Sequence, residues 1–158
     1  SIGTIVSLFF YEQLLKMDLK ELDIDRMVEN WPSLEEQKRQ SLTMFKDSDF
    51  PTFAAGEIAA KYSTPEELRH HFEIMRDRQD ELKERLNKQL LTVDQAIEHL
   101  KAVGAPIHPR DIDLSPQQMR STIIRAQQIR RRYTIFDVAV RLGTMDQWAD
   151  RLMKSYFA

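Results

Sequence analysis

The sequence predicts an all-α fold, and three observations carry that expectation. Apolar residues recur at spacings of three and four along most of the chain, which gathers them on one side of a helix. β-branched residues never build an alternating run of strand length. Finally, Ser or Thr stands three residues ahead of Glu or Gln at Ser33/Glu36, Thr64/Glu67, Thr92/Gln95, Ser115/Gln118 and Thr144/Gln147. That spacing marks a helix start: the hydroxyl accepts from an amide of the first turn while the longer side chain accepts from the amide of the cap residue.

The first segment, about Ile2 to Met17, carries Ile5, Val6, Leu8, Phe9, Phe10, Leu14 and Leu15. It is apolar around most of its circumference, so it must be covered on several sides. Short helices are expected near Asp25 to Asn30, over Ser33 to Phe45 and over Thr52 to Lys61. They are parted by Trp31-Pro32 and by the polar turn Asp47-Ser48-Asp49-Phe50-Pro51. From Thr64 to about Leu90, the series Leu68, Phe72, Met75, Leu82, Leu86 and Leu90 is interrupted by Gln79. It describes one long helix of roughly 40 Å at about 1.5 Å per residue. Charge crowds its other faces, as in Arg76-Asp77-Arg78 and Lys83-Glu84-Arg85. This suits a solvated helix lying along the domain, with a coiled-coil arm as the alternative.

Val93, Ala96, Ile97, Leu100 and Val103 form the next apolar face, followed by the rigid connector Gly104-Ala105-Pro106-Ile107-His108-Pro109. A helix then runs through Met119, Ile123 and Ala126 to Arg132. Another carries Ile135, Val138, Ala139 and Leu142, and a last one carries Trp148, Leu152, Met153 and Tyr156. Pro65 and Pro116 fall in the first helical position, where a missing amide hydrogen is harmless. Gly104 and Gly143 follow apolar segments and are placed to close helices in the left-handed conformation. With 158 residues and 42% hydrophobic content, the chain is expected to form a single helical domain over 1–158.

Composition removes several function classes. The 23 basic and 25 acidic residues leave a net charge of −2, so no global field favours nucleic acid or an anionic membrane. There is no cysteine, which excludes disulfides, thiolate catalysis and cysteine-ligated metal. No apolar stretch approaches the roughly 18 residues of a membrane span, and a cytoplasmic location is expected. The four glycines form no phosphate-cradling cluster, so a Rossmann unit is not expected. Ser1 opens the chain directly inside a helical pattern, and a preceding segment is expected.

The histidines are His70, His71, His99 and His108. Adjacent His70 and His71 diverge by about 100° on a helix, the wrong arrangement for a shared metal. Glu66 and Glu67, four residues earlier, give each an ordinary surface partner. His108 is the one histidine with the character of a contact residue, although a turn position explains it as well. No arrangement of nucleophile, base and carboxylate is visible, and no catalytic, metal-ligating or cofactor-binding residue is assigned. Arg130-Arg131-Arg132, with Arg125 before it and Tyr133 after it, is the densest positive charge. At the end of a helix it would meet the negative pole of the dipole, and that reading is preferred to nucleic-acid binding.

The run Ile129-Arg130-Arg131-Arg132-Tyr133-Thr134-Ile135-Phe136-Asp137, ending in Leu142-Gly143, resembles the Ile-Arg-x-Arg-Tyr-Thr segment of glycerol-1-phosphate dehydrogenases. Val103-Gly104-Ala105-Pro106, Pro109 and Asp111-Ile112-Asp113 resemble the connector upstream of it in that family. Ile2-Gly3-Thr4 is similar to the start of the helix that follows its His-Gly metal-ligand motif; Ser1 stands where the family often has glycine. The likeness covers the final third and the first few residues.

This resemblance implies the C-terminal helical domain of the dehydroquinate synthase-like and iron-containing alcohol dehydrogenase fold. The parent would reduce dihydroxyacetone phosphate, or a related polyol phosphate, using NAD(P) and a divalent metal such as Zn, Ni or Fe. The metal ligands and the dinucleotide-binding domain would lie upstream of Ser1, leaving Gly3 and Thr4 nearest the site and the isolated piece inactive. A homo-oligomer is expected. So is an apolar surface on the first helix where the partner domain would sit, with self-association as its consequence. The alternative is a non-enzymatic helical interaction or regulatory module.

Overall fold

Helix α1, Ile2–Lys16, has no polar side wide enough to face water, and the chain folds around it. The computed structural model describes all residues, 1–158. It holds nine further α-helices and no strand: α2 (Ile24–Glu29), α3 (Leu34–Met44), α4 (Phe53–Lys61), α5 (Pro65–Asp77), α6 (Gln79–Gln89), α7 (Val93–Ala102), α8 (Pro116–Ala126), α9 (Ile135–Arg141) and α10 (Met145–Tyr156). Single 3-10 turns form at Leu19–Glu21 and Pro109–Ile112. The all-α class expected from the sequence is therefore what the chain adopts. No helix is long and apolar enough to cross a membrane.

Around α1, Ile2, Ile5, Val6, Leu8, Phe9, Phe10, Gln13 and Leu14 are all buried. Helices α7, α9 and α10 pack directly on it. At the centre, the Phe10 ring meets Phe136 and Trp148 edge-on, with centroids 5.1 and 5.6 Å away. Such T-shaped contacts set the positive rim of one ring against the negative face of another. The expected bare apolar surface on α1 is thus not found, because this chain's own helices cover it. The large exposed apolar residues, Phe50 and Val103 foremost, lie elsewhere.

Of the five helix starts expected from the Ser/Thr spacing, three form complete reciprocal caps, at Thr64/Glu67, Thr92/Gln95 and Ser115/Gln118. Ser33 accepts from the Glu36 amide, but the Glu36 carboxylate turns instead to Arg39 and Gln40. Thr144 does not cap α10; its hydroxyl donates to the Ala139 carbonyl at 3.3 Å. Gly104 and Gly143 take φ of 65° and 69°. The amides just beyond them, Ala105 and Thr144, reach back to Leu100 and Ala139 at 2.9 Å, closing α7 and α9.

Two expected helices change length. The long helix over 64–90 divides at Arg78, whose φ of −109° and ψ of 22° end α5. Gln79 turns inward there, accepting from the Leu19 amide at 2.5 Å and donating to Asp18 at 3.2 Å. That anchors the first 3-10 turn. Helix α8 stops at Ala126 rather than Arg132; just beyond it, buried Gln127 gives its side chain to Asp137 and its carbonyl to Lys61. Arg130, Arg131 and Arg132 therefore lie in irregular chain, and of that cluster only Arg125 occupies a last helical turn.

Replacing Phe10 by Ala should remove about 3–5 kcal/mol of stability, as for large aromatic truncations in closed cores. Urea denaturation measures this; a loss below about 1 kcal/mol would contradict the packing described.

Candidate functional site

Lys61 closes α4 and Asp137 lies in the first turn of α9. Their charged ends meet in the interior, Nζ to Oδ1 at 2.7 Å, with the side chains 7% and 4% exposed. The rest of the Asp137 carboxylate is fully engaged. Gln127 Nε2 donates to Oδ1 at 2.9 Å, while the Thr134 amide and hydroxyl donate to Oδ2 at 2.7 and 3.0 Å. Lys61 Nζ also donates to the Gln127 carbonyl. A charge pair this dry survives because the carboxylate's acceptors are taken up and the ammonium meets both Asp137 and the Gln127 carbonyl. The Thr134-Ile135-Phe136-Asp137 part of the resemblance is therefore built around an ion pair and a helix start.

Arg141, one turn beyond Asp137, runs back beside this cluster. Its guanidinium donates to Ser63 Oγ at 2.8 Å, lies 3.5 Å from the Lys61 carbonyl, and covers the Tyr133 ring at 4.6 Å. It also lies 2.7 Å from His71 Nδ1. Guanidinium can only donate, so Nδ1 must accept, and the neutral ring then carries its hydrogen on Nε2. Partial burial first, and then the charge of Arg141, hold the His71 imidazole below its ordinary range; Glu67 works in the opposite direction.

These groups sit at one end of a groove of about 650 Å³ between α1, α5, α6 and α9. Tyr11 and Leu14 of α1 face Ile74, Met75, Leu82 and Leu86 across it. A mostly apolar trough with a few polar groups at one end suits a small organic ligand.

Gly3 and Thr4 stand apart from this groove, exposed on the first turn of α1. A Cβ at Gly3 would meet only Ser1 Oγ at 3.8 Å, so space alone does not require glycine. Among the histidines, His70, His71 and His99 are exposed. His108 accepts from the Arg110 amide at 3.2 Å and, with Asp111, caps the second 3-10 turn. His108 is thus a turn residue. No three His, Cys, Asp or Glu side chains are grouped to hold a metal ion. The side chains present do not fit a divalent ion, and the isolated glycines form no dinucleotide cradle.

Lys61, Gln127 and Arg141 carried no signal in the sequence, because their partners come from distant helices. Compared with family models, with curated proteins and with solved structures, the chain significantly matches none.

Asp137→Asn should cost on the order of 3–5 kcal/mol, since it leaves the Lys61 ammonium without its counterion. The double change Lys61→Met with Asp137→Asn, which keeps an acceptor oxygen for the Thr134 amide and hydroxyl, should recover much of that loss. A double variant no more stable than Asp137→Asn would show that the ion pair is not the source.

His71 supplies a pH test. Its folded pKa lies below the unfolded value of about 6.5, so between the two the unfolded chain binds more protons. Its contribution to stability is full above about 6.5 and is lost as pH falls through that window. An NMR titration should place the His71 midpoint below about 6.5, and His71→Gln should flatten that part of the stability profile. A midpoint at or above the ordinary value would exclude the Arg141 contact.

Proposed function

We propose that the chain serves as the helical domain of a metal- and NAD(P)-dependent polyol-phosphate dehydrogenase of the glycerol-1-phosphate dehydrogenase type. The reading rests on the resemblance of Ile2-Gly3-Thr4, the Gly104 connector and the Ile129–Asp137 run. What supports it structurally is the first turn of α1: Ile2 and Ile5 are buried while Gly3 and Thr4 face outward. The turn is thereby fixed on its inner side and open on its outer side, as required of a support for a ligand-bearing loop. In this reading the metal and the nicotinamide are held by residues outside these helices. The helical stack forms one wall of the cleft, and Gly3 and Thr4 lie closest to substrate.

The discriminating assay uses the polypeptide as the cell makes it, including any residues ahead of Ser1. It should oxidise NADH or NADPH when given dihydroxyacetone phosphate and Zn, Ni or Fe, whereas the 158-residue chain alone should not. Thr4→Arg should lower turnover on the order of a hundredfold by displacing the substrate. Absence of nicotinamide oxidation by the cellular polypeptide with this or any related polyol phosphate would defeat the proposal. Turnover by the short chain alone would defeat it equally.

A second reading, a helical interaction module, has one observation in its favour. Phe50, between α3 and α4, and Phe53, the first residue of α4, are 75% and 55% exposed, and aromatic side chains left in water commonly mark contact surfaces.

A further inference from the structure

We propose that the groove between α1, α5, α6 and α9 binds an amphipathic carboxylate, its head on Arg141 and its chain along Ile74, Met75, Leu82 and Leu86. The inference does not depend on the dehydrogenase reading, because it concerns side chains away from Gly3 and Thr4.

Charge is the first ground. Arg141 is partly buried, yet the groups recorded around its guanidinium are neutral: His71 Nδ1, Ser63 Oγ, the Lys61 carbonyl and the Tyr133 ring. Charges withdrawn from water are ordinarily matched by counterions. The neighbouring carboxylates are engaged elsewhere: Asp137 by Lys61, Gln127 and Thr134, and Glu67 by the Thr64 amide. With Lys61 paired to Asp137, Arg141 is the cation lining the groove that has no carboxylate within ion-pair distance. A carboxylate, planar and singly negative, fits the planar donor fork of a guanidinium.

Shape is the second ground. The groove holds about 650 Å³, within the usual range of roughly 300–1,000 Å³ for small-ligand sites. Away from Lys61, His71, Thr134 and Arg141 its walls are mostly apolar, with Tyr11 and Tyr133 adding aromatic surface, and Ile74 is left 41% exposed. One cation beside a long apolar wall suits a monoanion with a tail better than a phosphorylated sugar, which would bring two charges and many hydroxyls into a trough with few polar partners.

The probe is decanoate at sub-micellar concentration, added to the whole chain and followed by amide shifts and by thermal melting. Decanol offers the tail without the charge, and acetate the charge without the tail. Decanoate should bind at least about tenfold more tightly than either, the scale of one charge-assisted contact. The shifts should centre on Ile74, Met75, Leu86 and Arg141. Arg141→Gln should weaken binding about tenfold or more. Because Arg141 also ties Ser63, Ile74→Glu provides a second variant: it stands at the rim, leaves the interior untouched and sets a negative charge against the ligand. Equal binding of decanol and decanoate would overturn the proposal, as would decanoate binding undiminished by Ile74→Glu. A self-association that Ile74→Glu abolishes and decanoate fails to displace would overturn it too, assigning the groove to a second copy of the chain.

Discussion

A helix without a polar side cannot rest on a surface; it must be enclosed, and each enclosing helix must present an apolar stripe at the right height. Helix α1 imposes that requirement. Ile5 and Phe10 both point into protein although they leave the helix about 140° apart. Of the enclosing pieces, α7 comes from the middle of the sequence and α9 and α10 from its far end. The N-terminal segment can therefore be buried only once the C-terminal third is in place. The polar residues Thr4 and Ser7 share one outer strip with Tyr11, at the spacing of a helix face. Along that strip the helix reaches solvent and, further on, the groove.

The second organising feature is polar. Helix α9 docks with Asp137 toward the interior, and the cost of removing a carboxylate from water is met by Lys61, Gln127 and Thr134 acting together. The same docking brings Arg141 against Ser63 and His71, so one seven-residue helix links the buried pair, the histidine and the groove. Away from this seam, exposed clamps such as Arg120 with Asp146 and Asp150 hold α8 to α10. Open to solvent, such pairs contribute little energy and mainly fix geometry.

Local physics was legible in the sequence wherever local physics decided the outcome. Thr64, Thr92 and Ser115 announce their helices because cap and partner lie within one turn, and Gly104 and Gly143 end theirs because only a left-handed residue closes the chain there. Just beyond both misjudged lengths, at Arg78 and at Ala126, stands a glutamine drawn inward by a distant backbone or carboxylate group. Such a pull leaves no trace in periodicity. Thr144 has the cap spacing but already belongs to the turn that Gly143 closes, so its hydroxyl serves Ala139 instead. The groove was harder still to foresee. His71 reads as one of two adjacent surface histidines until Arg141 arrives from α9, and nothing within a few residues of Lys61 hints at Asp137.

The buried pair has a consequence for how the chain finds its native arrangement. Lys61 and Asp137 come from opposite halves of the sequence, and neither tolerates a dry interior alone. A collapsed state in which α9 sits one turn out of register would strand an ammonium or a carboxylate, at a cost of several kcal/mol. Aliphatic contacts are forgiving of such slippage, since one leucine replaces another with small loss. The ion pair thus acts as a key cut for a single lock: it adds little to the depth of the native minimum while raising its near neighbours, so correct docking is selected by the expense of the alternatives.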